Sequence, residues 1–251
     1  MYGSLRAAFG RLTLLCFPRE ALSGGQLGRS VWFYPLIGVA VGYMQVFAIR
    51  IIEGAGVGAA ELSAIAALLT VVFVSGVKHV DGLGRACDGL FDSGDRMRRL
   101  RLMGKRRRGT FGVVGIVLDL LVKWQLYVSA MGYGLEEWPV VVACLSRWSA
   151  VCAGCRAKVA EDADEGELIR NTGVVALLVS AVVPAGVAFH FYGNAAVPLM
   201  LVATLFPLPL RALARQRLGG MTGEMQHLAI ELTEMALIFL LFFETILLPG
   251  G

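Results

Sequence analysis

Long apolar runs recur along this sequence, and they limit the kind of fold that the chain can adopt. A helix of about 20 apolar residues crosses the hydrocarbon core of a bilayer. Charged residues make up only 17% of the chain, whereas a soluble domain usually carries about a quarter. We therefore predict an all-α polytopic integral membrane protein, one membrane domain over residues 1–251 with about seven transmembrane helices. The predicted spans are residues 30–49, 62–77, 111–135, 138–153, 173–192, 195–210 and 228–248.

The distribution of Lys and Arg between these spans predicts how the chain is oriented. Basic residues are concentrated in alternate connections, and the positive-inside rule places such segments on the cytoplasmic side. The N-terminus is therefore predicted to be cytoplasmic and the C-terminus external, in a multi-pass protein of the cell inner membrane. The segments predicted to face the cytoplasm are residues 1–29, 78–108, 154–172 and 211–227.

The segment 78–108, between the second and third predicted spans, is the most highly charged part of the chain. It contains ten Lys and Arg residues and four Asp residues, a net charge of +6 in a chain whose total is +4. Its basic residues are not interleaved with aromatic side chains, so a nucleic-acid partner is not expected. Aspartate and arginine clustered at a membrane surface suit a phosphate-bearing substrate. We predict that the active site lies in this cytoplasmic loop.

Four charged residues in this loop have the spacing of one helical face. Asp81, Arg85, Asp88 and Asp92 are offset by 0, 4, 7 and 11 residues, which aligns them along one side of a helix. Aspartate oxygens are suitable ligands for Mg²⁺, which in turn bridges diphosphate oxygens. His79 could orient a carboxylate or accept a proton. The alternative is a solvated loop with compensating charges, since three glycines within it weaken the helix prediction.

Ionisable residues also occur inside the predicted spans, where they are costly and often functional. Asp119 and Lys123 are four residues apart and could neutralise each other. Arg147 has no nearby partner in sequence and needs one from another helix. Glu231 and Glu234 open the last span and could face Arg147 or a substrate. A structural role and a binding role both remain open for these five residues.

Motifs spread along the chain resemble those of one known family. Residues 76–91 read GVKHVDGLGRACDGLF, and the similarity continues to Lys123. Residues 34–38 read YPLIG, Ser146 is followed by Arg147, and residues 219–224 read GGMTGE ahead of Glu231 and Glu234. Together these pieces resemble, in order, the signature of the cobalamin synthase family, the adenosylcobinamide-GDP ribazoletransferases.

The resemblance implies a Mg²⁺-dependent membrane enzyme that joins adenosyl-GDP-cobinamide to α-ribazole, or to its 5′-phosphate, and releases GMP. It implies attack by the ribazole 5′ oxygen on the cobinamide-bearing phosphorus, in a transfer governed by positioning and charge neutralisation. Asp81 and Asp88 would hold Mg²⁺ on the diphosphate, Arg107 would steady a phosphate oxygen, and His79 would orient a ligand or act as base. The residues carried over as substrate-binding are Arg85, Asp92, Lys123, Arg147, Thr222, Glu224, Glu231 and Glu234.

The chain departs from the family pattern mainly by replacing acidic residues with basic ones. Arg85, Arg101 and Lys105 stand where the family has Asp, Glu and Asp, and Glu224 stands for an Asp. On the predicted helix face, the Arg85 cation would lie between the two proposed metal ligands. Its charge would oppose Mg²⁺ there by Coulomb repulsion.

Two interpretations of these replacements are open. Arginine takes over neutralisation of the diphosphate in an active enzyme, or the chain is a catalytically degenerate homologue that acts as a binding or assembly partner. The retained His79, Asp81 and Asp88 favour activity. A membrane transporter is a third hypothesis because of the ionisable residues within spans, although the sequence has no inverted repeat. The lipid bilayer is an expected partner, and a homo-oligomer is compatible with each of these hypotheses.

Overall fold

The protein is helical throughout the part that the structure describes. The computed structural model describes residues 2–14, 23–56, 60–132, 137–161 and 166–247. These residues form thirteen α-helices: α1 (Tyr2–Leu12), α2 (Gly24–Ser30), α3 (Tyr34–Gly54), α4 (Ala60–Val74), α5 (Lys78–Phe91), α6 (Arg96–Met103), α7 (Thr110–Gly132), α8 (Trp138–Gly154), α9 (Gly166–Arg170), α10 (Val174–Tyr192), α11 (Ala196–Leu205), α12 (Pro207–Leu218) and α13 (Gly223–Leu247). The only β-pairing among the described residues is an isolated parallel bridge between Val159 and Met221, which lie outside the helices.

The all-α membrane class predicted from the sequence is confirmed. Length and composition give four candidate membrane-spanning helices among the described residues, or five if a pair bent by 81° is counted as one span. The four are Gly24–Gly54, Thr110–Gly132, Val174–Leu218 and Gly223–Phe242. Three differences from the seven runs in the sequence account for this number. Two predicted spans fall within the single 45-residue candidate Val174–Leu218, the run 138–153 is the shorter helix Trp138–Gly154, and the run 62–77 belongs to the bent pair Ala60–Val74 and Lys78–Phe91. Residues 133–135 and 248, at the predicted ends of two spans, lie outside the described residues, as does the segment 15–22 of the predicted cytoplasmic N-terminal region.

Helix α8 is the centre of the fold. All 17 of its residues are buried, and it packs against α3, α10, α11, α12 and α13. The contact with α3 is close because a Cβ on Gly38 or Gly42 would overlap the α8 backbone at Ala143 or Val140. Arg147 is the only charged residue of α8, and a helix with so few charges is typically enclosed by other helices.

Helix α5 turns away from α4 by 81°. The turn is made by two consecutive residues in the left-handed region, Gly76 at φ 65° and Val77 at φ 61°. Helix α5 then packs against α6, α7 and α13. The helix predicted from the charge spacing is therefore present despite its glycines, and it contains Asp81, Arg85 and Asp88.

Candidate active site

Asp81 forms ion pairs with two arginines at one end of α5. Arg85 Nε donates to Asp81 Oδ2 at 2.8 Å, one turn further along the same helix. Arg108 Nε lies 3.2 Å from Asp81 Oδ1 and comes from the segment just before α7. The Asp81 side chain remains 40% exposed, so this group of one carboxylate and two guanidinium ions can be reached by a polar ligand.

Asp88 has a different role, because both of its carboxylate oxygens accept backbone hydrogen bonds. Gly109 N donates to Oδ2 at 2.6 Å and Gly112 N donates to Oδ1 at 2.7 Å. Both N–H groups lie at the start of α7, where the first turn of a helix has no partners of its own. A carboxylate there is also favoured by the helix dipole. Asp88 thus caps α7 and fixes the chain that carries Arg108.

Four other charged residues of this loop were singled out from the sequence: Asp92, Arg101, Lys105 and Arg107. Asp92 is the residue just after α5, and its Oδ2 accepts the Gly94 N–H at 2.7 Å and lies 3.2 Å from Arg98 Nε. Asp92 therefore shapes the turn from α5 into α6. Arg107, to which the resemblance gives a phosphate contact, is exposed, as are Arg101 and Lys105.

A second set of charges lies inside the helix bundle and joins three helices. Lys123 on α7 donates to Glu234 Oε2 on α13 at 2.6 Å and also contacts Glu231. Arg147 on α8 contacts Glu234 Oε1 through Nη1. Asp119 is 4.0 Å from Lys123 Nζ. All five side chains are buried, and we refer to them as the buried ionic cluster.

This cluster changes the pairing expected from the sequence. Arg147 has its partner on another helix, as expected, and that partner is Glu234. The Asp119–Lys123 pair, by contrast, is the longest ion pair in the cluster, because Lys123 is held by the two glutamates. Charges buried together need such mutual compensation, so the geometry favours a structural role in joining α7, α8 and α13.

His79 lies beside this cluster and is buried. Its Nδ1 is 3.8 Å from Glu231 Oε1, and its ring centroid is 5.2 Å from that of His227. Neither ring nitrogen has a hydrogen-bond partner within the described ranges. Because His79 is only 1% exposed, contact between its ring and a substrate would require rearrangement.

The start of α13 contains the last two predicted site residues. Thr222 is buried, and its Oγ1 accepts the Met225 N–H at 3.3 Å, one of the first N–H groups of the helix. Glu224 is part-buried in the first turn. Gly219, at φ 78°, lies against the Arg96 guanidinium with no room for a Cβ. This arrangement packs α6 against the end of α12.

Residues 4–242 match the family described as cobalamin-5-phosphate synthase. The chain belongs to this family. The match covers nearly the whole chain and includes every residue of the two charged groups described above.

Relatives of this cobalamin-5-phosphate synthase family member are similar over most of their length. A Pseudomonas fluorescens protein named adenosylcobinamide-GDP ribazoletransferase is 36% identical over 85% of this chain and 87% of its own. A protein of the same name from Prosthecochloris aestuarii is 29% identical over 93% of this chain and 95% of its own. Another, from Geotalea daltonii, is 31% identical over 83% of this chain and 84% of its own. No solved structure matches the chain.

The cobalamin-5-phosphate synthase resemblance implied a magnesium ion, and the carboxylates on α5 differ in their suitability for one. Within the described segments there is no group of three His, Cys, Asp or Glu side chains that could hold a metal. Mg²⁺ often binds through one or two carboxylates together with substrate phosphates. Asp81 is exposed enough for that arrangement, whereas both oxygens of Asp88 are occupied by α7. The residues fit an ion that arrives with a diphosphate better than a resident ion.

Sequence reasoning about this synthase-family chain missed Arg108 and the two glycines that donate to Asp88. Arg108 is the last of four consecutive basic residues, 105–108, and their sequence alone does not distinguish it from Arg107. Gly109 and Gly112 lie in the family-like stretch that continues to Lys123, and the sequence alone gives them no role. Their function becomes visible only when α5 and α7 are placed side by side.

Proposed function

We propose that this chain is an active ribazoletransferase, which joins adenosyl-GDP-cobinamide to α-ribazole or α-ribazole 5′-phosphate and releases GMP. The observation that carries the proposal is the accessible ion-paired group of Asp81, Arg85 and Arg108 at the start of α5. Its two guanidinium ions can bind an incoming diphosphate. The Asp81 carboxylate, which they contact in the free protein, is then released from these ion pairs. Membership of the family, with relatives of that name, supports the same reaction.

In this proposal Arg85 and Arg108 exchange their ion pairs with Asp81 for contacts with the diphosphate. Arginine binds phosphate oxygens through paired, charge-assisted hydrogen bonds, and a diphosphate carries more charge than one carboxylate. Arg85 and Arg108 would turn from Asp81 toward the phosphates, and Asp81 would then be free to hold Mg²⁺ carried by the substrate. A bound Mg²⁺ would supply neutralisation of the phosphate oxygens.

The arginine at position 85 then supports activity. Its guanidinium is paired with Asp81, so it offsets that carboxylate in the free protein. The negative charge of a bound diphosphate would be large enough to attract both the Arg85 guanidinium and one Mg²⁺. This supports the active-enzyme interpretation over the degenerate homologue, since the replacement supplies the cation that phosphoryl transfer requires.

The attacking atom in this proposal is a ring hydroxyl of the ribose. The 5′ oxygen cannot attack when it already carries a phosphate, and the family description names a 5-phosphate product. The hydroxyl oxygen would form a bond to the cobinamide-bearing phosphorus. The bond between that phosphorus and the bridging oxygen of the diphosphate would break at the same time. GMP leaves with that bridging oxygen, and the hydroxyl proton is released. This replaces the 5′ oxygen that the sequence resemblance implied.

We also propose that the site faces the cytoplasm in a multi-pass protein of the inner membrane. Lys78 Nζ donates to Thr13 O at 2.6 Å, which joins the N-terminal helix to the start of α5 on one side of the bundle. Both segments are rich in basic residues, which supports a cytoplasmic location. An Arg106→Cys variant, at an exposed position, should react with an impermeant maleimide in inverted vesicles and not in intact cells.

The decisive experiment is GMP release by the purified protein in lipid. The protein would receive adenosyl-GDP-cobinamide and α-ribazole, with and without Mg²⁺, beside Asp81→Asn and a control, Glu61→Gln, at an exposed position on α4. Mg²⁺-dependent release that is lost in Asp81→Asn and kept in the control supports the proposal. If only an Arg85→Asp, Arg101→Glu, Lys105→Asp variant turned over, the degenerate-homologue alternative would stand. Uptake of cobinamide by vesicles without GMP release would indicate transport.

A further inference from the structure

A cavity of about 290 Å³ lies between α5, α7, α12 and α13. Its lining residues fall within residues 115–122 of α7 and residues 228–235 of α13. At a rise of 1.5 Å per residue, the cavity is about 10 Å long in the direction of these two helices. Such an elongated space suits a chain better than a compact group.

The walls of this cavity are apolar, and Leu83, Leu213 and Leu232 are typical of them. Asp119 is the only charged residue among the described residues that line the cavity. Its Oδ2 lies 4.0 Å from Lys123 Nζ, so the carboxyl belongs to the buried ionic cluster. Because Asp119 is only 3% exposed, the surface that meets a ligand is apolar.

The cavity opens on the outer surface of the helix bundle. Three of its lining residues, Phe91, Leu118 and Val122, are 62%, 56% and 45% exposed. Leu118 and Val122 belong to α7, which is a candidate membrane-spanning helix. The outer surface of such a helix is in contact with lipid tails. A lipid tail can therefore enter the cavity directly from the bilayer.

A cation continues the cavity wall near the end of α12. Leu210 and Leu213 line the cavity from α12, and successive residues of an α-helix are rotated by about 100° around its axis. Arg217 therefore lies on the same face of α12, at an angle between those two leucines and one turn beyond Leu213. It is exposed, and no ion pair or hydrogen bond joins its side chain to the residues that the structure describes.

We propose that this cavity holds one acyl chain of an anionic phospholipid whose headgroup phosphate contacts Arg217. A phospholipid joins an apolar chain to a negatively charged phosphate, and here an apolar cavity open to the bilayer is followed by an exposed arginine. Basic residues at a membrane surface attract anionic lipid. The proposal goes beyond the proposed function and does not depend on it, because lipid binding needs no turnover.

A chain in this position would support α5 from its apolar side. Cys87 and Leu90 line the cavity from α5, whereas Asp81 and Arg85 lie on the opposite face of that helix. Side chains that line an empty space lose their dispersion contacts on that side. An acyl chain would restore these contacts without touching the charged group on the other face of α5.

The first test measures the headgroup preference of the full chain by native mass spectrometry in mild detergent. Wild-type protein should bind phosphatidylglycerol about fivefold better than the zwitterionic phosphatidylcholine, because one arginine contacts the anionic headgroup. Arg217→Gln should lose this preference. Arg215→Gln should keep it, since Arg215 is also exposed on α12 but lies about 160° around the helix from Arg217.

Three results of this measurement overturn the proposal. They are equal binding of the two lipids by the wild-type protein, a preference that survives in Arg217→Gln, and a preference that both variants lose.

The second test fills the cavity with a larger side chain. Leu213→Trp should reduce the phosphatidylglycerol that the protein retains about fivefold or more. Leu208→Trp should retain it, since Leu208 is 43% exposed on the same helix and does not line the cavity. Phosphatidylglycerol should also raise the Tm of wild type and Leu208→Trp, because a ligand that binds only the folded state stabilises it. Leu213→Trp should show no such increase.

Unchanged lipid retention in folded Leu213→Trp overturns the placement of the chain in this cavity, even if Arg217 selects the headgroup. If Leu213→Trp does not fold, Leu118→Trp narrows the mouth of the same cavity and should give the same loss. Its control is Leu121→Trp, since Leu121 is 54% exposed on α7 and does not line the cavity. Each measurement is made without substrate, so failure of this proposal is distinguishable from failure of the proposed function.

Discussion

The Asp88 carboxylate on α5 accepts the backbone N–H of Gly112 on α7 at 2.7 Å, across 24 residues of sequence. The same carboxylate accepts the Gly109 N–H. This joins the helix that carries Asp81 to the segment that carries Arg108. The distance between Asp81 and Arg108 therefore depends on Asp88 as well.

Asp88→Asn should lower both stability and activity. The change removes one acceptor and the negative charge at the N-terminus of α7, and we expect a loss of about 1–2 kcal/mol in the free energy of unfolding. Turnover should fall further than this loss of folded protein explains, because Arg108 is misplaced. Thermal unfolding and GMP release on the same samples measure the two effects.

The matched control for this change is Asp95→Asn. Asp95 Oδ1 also caps a helix, accepting the Arg98 N–H at 2.8 Å at the start of α6. Asn keeps an oxygen that can accept this bond, so the variant should lose only about 0.3–1 kcal/mol of stability through the helix dipole, while turnover per folded molecule stays near wild type. Equal turnover in the two variants would show that the Asp88 cap does not position the site.

Gly112→Ala should disrupt the same junction from the other side. A Cβ at this position would lie against the Asp88 carboxylate, so the two helices would have to separate. Gly132→Ala provides the comparison at the far end of α7, where no atom lies within 4 Å of an added Cβ. We expect loss of activity in Gly112→Ala and unchanged activity in Gly132→Ala, whose stability should change little because Gly132 is the last residue of α7. Full activity of Gly112→Ala would contradict the close approach of α5 and α7.

Arg108→Ala should weaken binding of adenosyl-GDP-cobinamide more than Arg107→Ala does. Arg108 is only 12% exposed and pairs with Asp81, whereas Arg107 is exposed. A hydrogen bond to a charged group contributes about 1.5–3 kcal/mol, so KM should rise by roughly 10-fold to 100-fold. Steady-state GMP release at several salt concentrations measures this. A larger effect at Arg107 would favour the assignment made from the family resemblance.

Glu234→Gln should destabilise the protein strongly. Glu234 is the carboxylate shared by Lys123 and Arg147, and breaking a buried pair typically costs about 3–5 kcal/mol. Glu53→Gln, in the exposed Arg50–Glu53 pair at 3.7 Å, should change stability by less than about 1 kcal/mol. Unfolding by denaturant in mild detergent compares them.

The same variant tests whether Glu234 binds substrate. If its role is structural, the folded fraction of Glu234→Gln should keep a KM near wild type for both substrates. A raised KM with normal stability would instead support the substrate-binding role that the sequence resemblance assigned to Glu234.

The membrane class and the position of helix α5 could be predicted from the sequence because both depend on local patterns. Apolar runs predict helices for a bilayer, and the spacing of Asp81, Arg85 and Asp88 predicts a shared face. The different roles of Asp81, which forms ion pairs with arginines, and Asp88, which caps α7, could not be predicted in the same way. It depends on which carboxylate meets the first turn of α7, a contact between segments that are 24 residues apart.

The buried ionic cluster was only partly predictable for the same reason. The sequence indicates that Arg147 needs a partner, but three acidic residues within spans were candidates. Tertiary packing selects Glu234 for Arg147 and leaves Asp119 at the edge of the cluster. The burial of His79 also results from packing, since a histidine near a charged loop could equally have been exposed.

The complete burial of α8 has a consequence for how this protein depends on its membrane. The environment of Arg147 is provided by neighbouring helices, so the arginine does not have to be accommodated by lipid tails. The 17 residues of α8 also need not match the thickness of the hydrocarbon layer. The outer helices, which do face lipid, can tilt to suit a thinner or thicker bilayer. The pairing of Arg147 on α8 with Glu234 on α13 then depends less on the lipid composition of the cell than the pairs that Lys123 makes from α7.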